Sequence, residues 1–267
     1  MTKTVIQAGI LLTVFAIILA ACAPTPAISP PSAPQEPGTA SVPVSEPEPA
    51  TISAPITASS EDSQSYLKYQ RTDNILDYIE PANTRIRNTA IFAIRDTPPG
   101  ISSNSDEWKI WKINYWVANN ITYISDPYGQ EYYAYAHETL DIKGGDCDDF
   151  VILLASLYES VGLDAAITYV DTKGDEQINH MACLVYYSDT SQSFLDKTKA
   201  IMEAAGVESP TAEIRIMYID AENTQFSSNY SKGIWIIADP TMAKVKDMVG
   251  HITHKPYDLI SMLEAGN

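Results

Sequence analysis

Residues 144–163 read GGDCDDFVILLASLYESVGL. The apolar residues of this stretch recur at the spacing of one helical face, which predicts a core-facing helix beginning near 146–148. They are Phe150, Leu153, Leu154, Leu157 and Val161. Gly162 follows the last of them, as is typical of a helix end. Cys147 therefore falls in the first turn of a buried helix, directly after two glycines.

That position gives Cys147 a physical reason to be reactive. The free amides and the dipole at a helix N-terminus favour a thiolate over a thiol. Gly144 and Gly145 let the backbone turn sharply and leave room for a substrate to approach.

A base and an acid for this cysteine are predicted on later strands. His180 opens the strand HMACLVYY, in which Cys183 lies on the opposite face and is expected to fill the core. Asp239 ends the strand GIWIIAD and precedes Pro240 and Thr241. A carboxylate there could hold an imidazole in one tautomer and stabilise its charged form.

These three segments resemble the transglutaminase-like superfamily of papain-like cysteine enzymes, and most closely its bacterial and archaeal cysteine peptidases. The resemblance covers roughly 108–243, through GGDCDDFVILLASLYESVGL, NHMACLVYY and WIIADPT. It implies Cys147 as nucleophile, His180 as general base and Asp239 as orienting acid. It also implies acyl transfer through a thioester, with no cofactor required for the chemistry.

The sequence departs from the family pattern in two places. Met181-Ala182 follows the histidine, where many relatives have Ala-Trp. The interval from His180 to Asp239 is long, which leaves Asp220, at the end of EIRIMYID, as an alternative acid.

Other candidate site residues lie upstream of the cysteine. The Cys147 amide could serve as one oxyanion donor, and Trp116 or Gln130 could supply a second. A loop is predicted over 121–145. Its tyrosine-rich part, 123–135, contains Tyr133 and is either a substrate groove for peptide or glycan or a packed loop.

Three acids surround the cysteine: Asp146, Asp148 and Asp149. Their charges would raise the pKa of the thiol and oppose thiolate formation. Two interpretations stay open. The acids either satisfy first-turn amides, as acids often do at helix starts, or they hold a Ca²⁺ ion that neutralises them.

The expected fold class is α+β, with N-terminal helices and the cysteine-bearing helix packed on a mostly antiparallel sheet, a papain-like, transglutaminase-like core. Helices are predicted over 66–80, 84–96, 105–120 and 193–205, and strands over 165–171, 180–187, 213–220 and 233–238. The last segment, PYDLISMLEAGN, is similar to a short amphipathic helix.

The N-terminal 65 residues have a different composition from the rest. Residues 1–21 are typical of a signal peptide, with an apolar run ILLTVFAIILAA that is short for a membrane span. LAAC at its end resembles a lipobox, which implies that Cys22 carries lipid. Residues 22–65 hold ten of the 17 prolines and no aromatic residue, so a disordered tether is expected before a domain at 66–267.

Composition excludes several function classes. A formal net charge of −17 argues against a nucleic-acid partner, and three cysteines cannot form a disulfide framework. The sequence favours a lipid-anchored, extracytoplasmic peptidase or amidase acting on protein or peptide. A crosslinking transamidase and a non-catalytic binding module that keeps the fold are the alternatives.

Overall fold

The computed structural model describes residues 74–127, 131–207, 216–242, 248–252 and 254–266. The predicted signal peptide, Cys22, the tether and Gln130 lie outside these ranges. Among the described residues, no helix is long and apolar enough to cross a membrane.

The described chain forms five α-helices and seven strands. The helices are α1 (Thr84–Ile94), α2 (Asp106–Asn120), α3 (Ala136–Ile142), α4 (Cys147–Ser160) and α5 (Ser191–Ala204). The strands are β1 (Thr122–Tyr123), β2 (Gly144–Gly145), β3 (Ala165–Asp171), β4 (His180–Tyr187), β5 (Tyr218–Asp220), β6 (Ile234–Ala238) and β7 (Asp258–Glu264). Short 3₁₀ turns span Ile75–Tyr78 and Ala221–Asn223.

One five-stranded antiparallel sheet organises the domain, in the order β5-β6-β4-β3-β7. The short strands β1 and β2 pair in parallel and lie outside it. This mixture of helices and antiparallel sheet confirms the α+β prediction.

The two faces of β4 pack into two apolar cores. Met181, Cys183 and Val185 belong to the larger core, together with apolar residues from all sides of α4, which is buried from Asp148 to Tyr158. Ala182 and Leu184 belong to the smaller core on the other face. Cys183 is fully buried, which confirms its predicted packing role.

Three predicted elements need correction. The terminal segment is strand β7 paired with β3, so the predicted helix is wrong. Its spacing fits a helix, but edge pairing with β3 supplies backbone hydrogen bonds that local spacing does not reveal. Within the described part of 66–80 there is only the turn Ile75–Tyr78, and α3 lies where a loop was expected.

The sheet brings the ends of three elements together. β6 runs antiparallel to β4, with Ala238 opposite Cys183, so Asp239 follows in the direction of His180 at the start of β4. The helix α4, which begins at Cys147, packs against β4. The ends of α4, β4 and β6 therefore form the candidate site.

Candidate active site

Helix α4 begins at Cys147 because the residues before and after it fix the turn. Asp146, the residue before the helix, is extended, and its amide donates to Asp149 Oδ2 at 3.3 Å. Asp149 Oδ1 accepts the Ala134 amide at 2.8 Å, which ties the turn to the preceding loop. A Cβ on Gly145 would lie 2.5 Å from the Asp149 Cβ, so only glycine fits there. Asp149 therefore satisfies two amides that precede the helix, those of Asp146 and Ala134, and not amides of the first turn.

The Cys147 thiol is half-buried and contacts the start of β4. The nearby backbone amides of Met181 and Asp148 lower the pKa of the thiol and so favour the thiolate. Burial and the nearby carboxyls of Asp148 and Asp146 outweigh those amides and raise the pKa of the thiol to about 12. Without a counter-charge the sulfur is therefore protonated at neutral pH.

His180 and Asp239 form a buried pair. His180 Nε2 lies 2.7 Å from Asp239 Oδ2, and the two side chains are 4% and 2% exposed. Asp239 Oδ1 accepts hydrogen bonds from the Thr241 amide and hydroxyl and from the Met242 amide. Burial alone would raise the pKa of Asp239, but the hydrogen bonds from His180, Thr241 and Tyr257 lower it below its ordinary value. Asp239 is therefore a carboxylate.

The charge of Asp239 decides the tautomer of His180. A carboxylate is an acceptor only, so the His180 Nε2 that it contacts must carry a proton. In the neutral imidazole, Nδ1 then holds the free lone pair. This is the nitrogen available to take a proton from a nucleophile, the arrangement that a general base requires.

The alternative acid and the other described histidines lie elsewhere. Asp220 is exposed and pairs in register with Ile234, at the opposite end of β6 from Asp239. His137 Nδ1 lies 2.7 Å from Glu80 Oε2, and His254 contacts the Thr172 carbonyl. The structure thus brings His180 together with Asp239 and not with Asp220.

Asp148 is the least satisfied polar group at the site. Its side chain is buried, the whole residue being 1% exposed, and among the described residues no hydrogen-bond donor reaches either carboxyl oxygen. It contacts the Asp146 carboxyl, an acceptor that can share a hydrogen bond only with a protonated partner. Oxygens of Asp146 and Asp148 and the Cys147 sulfur all lie within 4.8 Å of one another. Burial, followed by this contact with Asp146, raises the pKa of Asp148 to about 10.

The predicted substrate and oxyanion residues lie in different places. The pKa of the Tyr133 hydroxyl is raised to about 12, first by burial and then by the nearby Tyr169, Asp148, Glu131 and Cys147. Tyr133 therefore lies near the thiol. Its ring also contacts the Tyr78 ring edge-on, with centroids 5.8 Å apart. Trp116, on α2, lines a surface cleft together with Thr84, Asn88 and Phe92 of α1.

Tyr257 is a site residue that sequence reasoning missed. Its hydroxyl donates to Asp239 Oδ2 at 2.8 Å, the same oxygen that His180 contacts. No local motif predicts it, because the hydrogen bond joins Tyr257 to Asp239, 18 positions away, and the segment between them has no recognisable sequence pattern.

Residues 98–209 match the sequence model of the Transglutaminase-like superfamily. This segment is therefore similar to a transglutaminase-like domain. The matched range holds Cys147 and His180, whereas Asp239 lies beyond it and is joined to the transglutaminase-like segment through the geometry of β4 and β6. No curated protein sequence matches the chain.

Solved structures similar to the chain include bacterial proteins described as candidate proteases. One is a candidate cysteine protease from Cytophaga hutchinsonii, with 19% identity over 50% of this chain and 41% of that chain, at a TM-score of 0.32. A candidate protease from Parabacteroides distasonis has 15% identity over 42% of this chain and 23% of that chain, at 0.34. The chain thus spans less than half the length of both. Calcium-bound LapG from Legionella pneumophila has 15% identity over 78% of this chain and 88% of that chain, at 0.32.

Proposed function

We propose that the transglutaminase-like domain is a cysteine hydrolase, a peptidase or amidase, that works through Cys147, His180 and Asp239. The buried 2.7 Å contact between His180 and Asp239 is the main support, because it leaves His180 Nδ1 as the free base. The packing of α4, which begins at Cys147, against β4, which begins at His180, supports it further.

The proposed reaction is acyl transfer in two steps. Cys147 gives its proton to His180 Nδ1 while its sulfur attacks the substrate carbonyl carbon. His180 then returns that proton to the leaving amine as the carbon–nitrogen bond breaks, and a thioester on Cys147 remains. In the second step His180 takes a proton from water, whose oxygen attacks the thioester carbon. The carbon–sulfur bond then breaks, His180 returns the proton to the Cys147 sulfur, and the acid is released. The Cys147 amide, at the helix N-terminus, could stabilise the oxyanion in both steps.

Three outcomes separate hydrolysis from its alternatives. The full chain is incubated with a mixture of unfolded proteins and a dansyl-labelled primary amine, beside its Cys147→Ala variant. We expect new peptide termini or free carboxylates that depend on Cys147. Incorporation of the amine alone would identify a transamidase. If wild type and variant leave the mixture equally unchanged, the binding-module alternative replaces the enzyme proposal.

A bound Ca²⁺ ion is the second part of the proposal, with Asp146 and Asp148 as ligands. The donor set fits because Ca²⁺ binds carboxylate oxygens, and Asp148 is a buried carboxyl with no hydrogen-bond donor among the described residues. Asp149 does not fit as well, because its oxygens already accept the Ala134 and Asp146 amides. Bound calcium would supply positive charge beside the two acids that raise the pKa of Cys147.

Calcium is therefore expected to stabilise the protein and to activate the thiol. At a free concentration about 100 times its Kd, a ligand adds about 2.7 kcal/mol, which raises the Tm by roughly 5–10 °C in a domain of this size. The iodoacetamide rate at pH 7.5 should rise at least about tenfold, since each unit of thiol pKa is tenfold in thiolate. Both are measured with calcium and then with chelator.

The matched variants are Asp148→Asn, which should lose both calcium responses, and Asp141→Asn, a change at an exposed side chain of α3, which should keep them. Wild type that melts and alkylates identically with calcium and with chelator would remove the metal from the proposal.

The cellular location belongs to the proposal as well. The LAAC sequence and the proline-rich residues after it support a lipid on Cys22 that anchors the domain to the outer face of the cytoplasmic membrane, with protein or peptide as substrate. The mass of the mature N-terminus tests this proposal. An unmodified Cys22, or an N-terminus that still contains residues 1–21, would contradict it.

A further inference from the structure

Tyr257 lies directly against the pair of residues that the proposed function uses as base and acid. Its hydroxyl is 2.8 Å from Asp239 Oδ2, and its ring meets the His180 ring edge-on with centroids 6.1 Å apart. The residue is only 8% exposed. We propose that Tyr257 is a positioning residue that fixes the Asp239 carboxylate and, through it, the orientation of His180. This inference rests on the proposed function.

The two oxygens of Asp239 are held by different groups. Oδ1 is fixed by the turn that follows it, through Thr241 and Met242. Oδ2 accepts only two hydrogen bonds from the described residues, one from His180 and one from Tyr257. Because a carboxylate oxygen offers two in-plane lone-pair directions, Tyr257 occupies one and leaves the other for His180. The Tyr257 hydroxyl thereby restricts rotation of Oδ2 away from the imidazole.

The strand order of the sheet carries Tyr257 to this position. Tyr257 immediately precedes β7, whose first residue, Asp258, pairs in register with Asp171 of β3. The neighbouring β3 residue, Val170, pairs with His180 of β4. β3 therefore lies between the strand that His180 begins and the strand that follows Tyr257. Through Tyr257, the edge strand β7 helps to form the site.

Tyr257 acts as a hydrogen-bond donor and takes no part in proton transfer. Burial and the nearby Asp239 carboxylate raise the pKa of its hydroxyl far above the ordinary value. A phenol that stays protonated cannot accept a proton from the substrate, yet it donates to Asp239 at every working pH. The buried ring also keeps water from competing for Oδ2.

The test compares Tyr257→Phe with Tyr230→Phe in the full chain. Tyr230 is a matched control, because its hydroxyl also donates to a carboxylate, Glu264 Oε1, at 2.8 Å. Acylation by p-nitrophenyl acetate is followed by nitrophenolate release. We expect Tyr257→Phe to lower the maximal acylation rate roughly tenfold, as loss of a hydrogen bond to a charged group would, with the half-saturating ester concentration unchanged. Tyr230→Phe should match wild type.

A spectroscopic measurement separates this inference from the proposed function. In protein with ¹⁵N-labelled histidine, the Nε2–H resonance of His180 reports its bond to Asp239 whether or not the enzyme turns over. We expect that resonance to move or broaden in Tyr257→Phe and to stay in place in Tyr230→Phe. An unchanged resonance and rate in a folded Tyr257→Phe protein would overturn the inference. Failure of wild type to be acylated would overturn the proposed function alone.

Discussion

Replacement of His180 by alanine is expected to slow acylation of Cys147 by about 10³-fold, within the range for loss of a general base. The expected loss is large because the pKa of the thiol is raised to about 12, so the sulfur depends on a base to remove its proton. His180 is the described histidine that contacts a buried carboxylate and begins the strand against which α4 packs. The measurement is nitrophenolate release from p-nitrophenyl acetate at pH 7.5.

Three controls accompany this experiment. Asp239 keeps its hydrogen bonds from Thr241, Met242 and Tyr257 in the variant, so the domain should still fold, and its Tm is checked. Added imidazole, which can enter the space left by the side chain, should restore part of the rate. Replacement of the exposed His254 by alanine should change little. A folded His180→Ala protein that is slowed less than tenfold would contradict the assigned base.

Replacement of Asp148 by asparagine is expected to stabilise the calcium-free protein at neutral pH. Burial and the contact with Asp146 raise the pKa of Asp148 from an ordinary 3.8 to about 10. Between pH 3.8 and about pH 10, the Asp148 carboxyl is ionised in the unfolded protein and protonated in the folded protein, so the unfolded state binds fewer protons. Stability therefore falls as pH rises through this window, and asparagine does not carry that penalty.

The size of the gain depends on pH in a defined direction. It should be near zero at pH 4 and about 2–4 kcal/mol at pH 7, which corresponds to roughly 5–15 °C in Tm. Urea unfolding at several pH values in the presence of chelator measures it. Asp141→Asn makes the same charge change on an exposed, ion-paired side chain and should shift stability by less than about 1 kcal/mol. A destabilised Asp148→Asn protein at pH 7 would show that the carboxyl has a partner that this account lacks.

The parts of the fold that could be predicted are those with a strong local period. Helix α4 carries apolar residues on one face between Cys147 and Gly162, and β4 alternates between two buried faces, so both were predicted close to their observed bounds. The end of β6 was recognisable because Pro240 and Thr241 follow Asp239. Because these local patterns put Cys147 at a helix start and His180 and Asp239 at strand ends, the three residues could be named as candidates from the sequence.

The features that escaped prediction depend on distant contacts. The terminal segment reads as a helix because Leu259, Met262 and Leu263 have helical spacing, whereas pairing with β3 makes it β7. Tyr257 has no motif, since its role comes from that pairing. The high pKa of Cys147 arises partly from burial, which helix-dipole reasoning from the sequence does not include. Local rules thus located the cysteine, and tertiary packing determined its charge state.

The most direct test of the central claim is to trap the acyl group on the protein. The full chain is acylated with p-nitrophenyl acetate, quenched in acid and digested, and the acetylated peptides are identified by mass spectrometry. We expect one acetyl thioester, on Cys147, which is absent from Cys147→Ala and strongly reduced in His180→Ala, while buried Cys183 stays unmodified. Acylation that persists in Cys147→Ala, or a wild type that gains no acetyl group at Cys147, would contradict this claim.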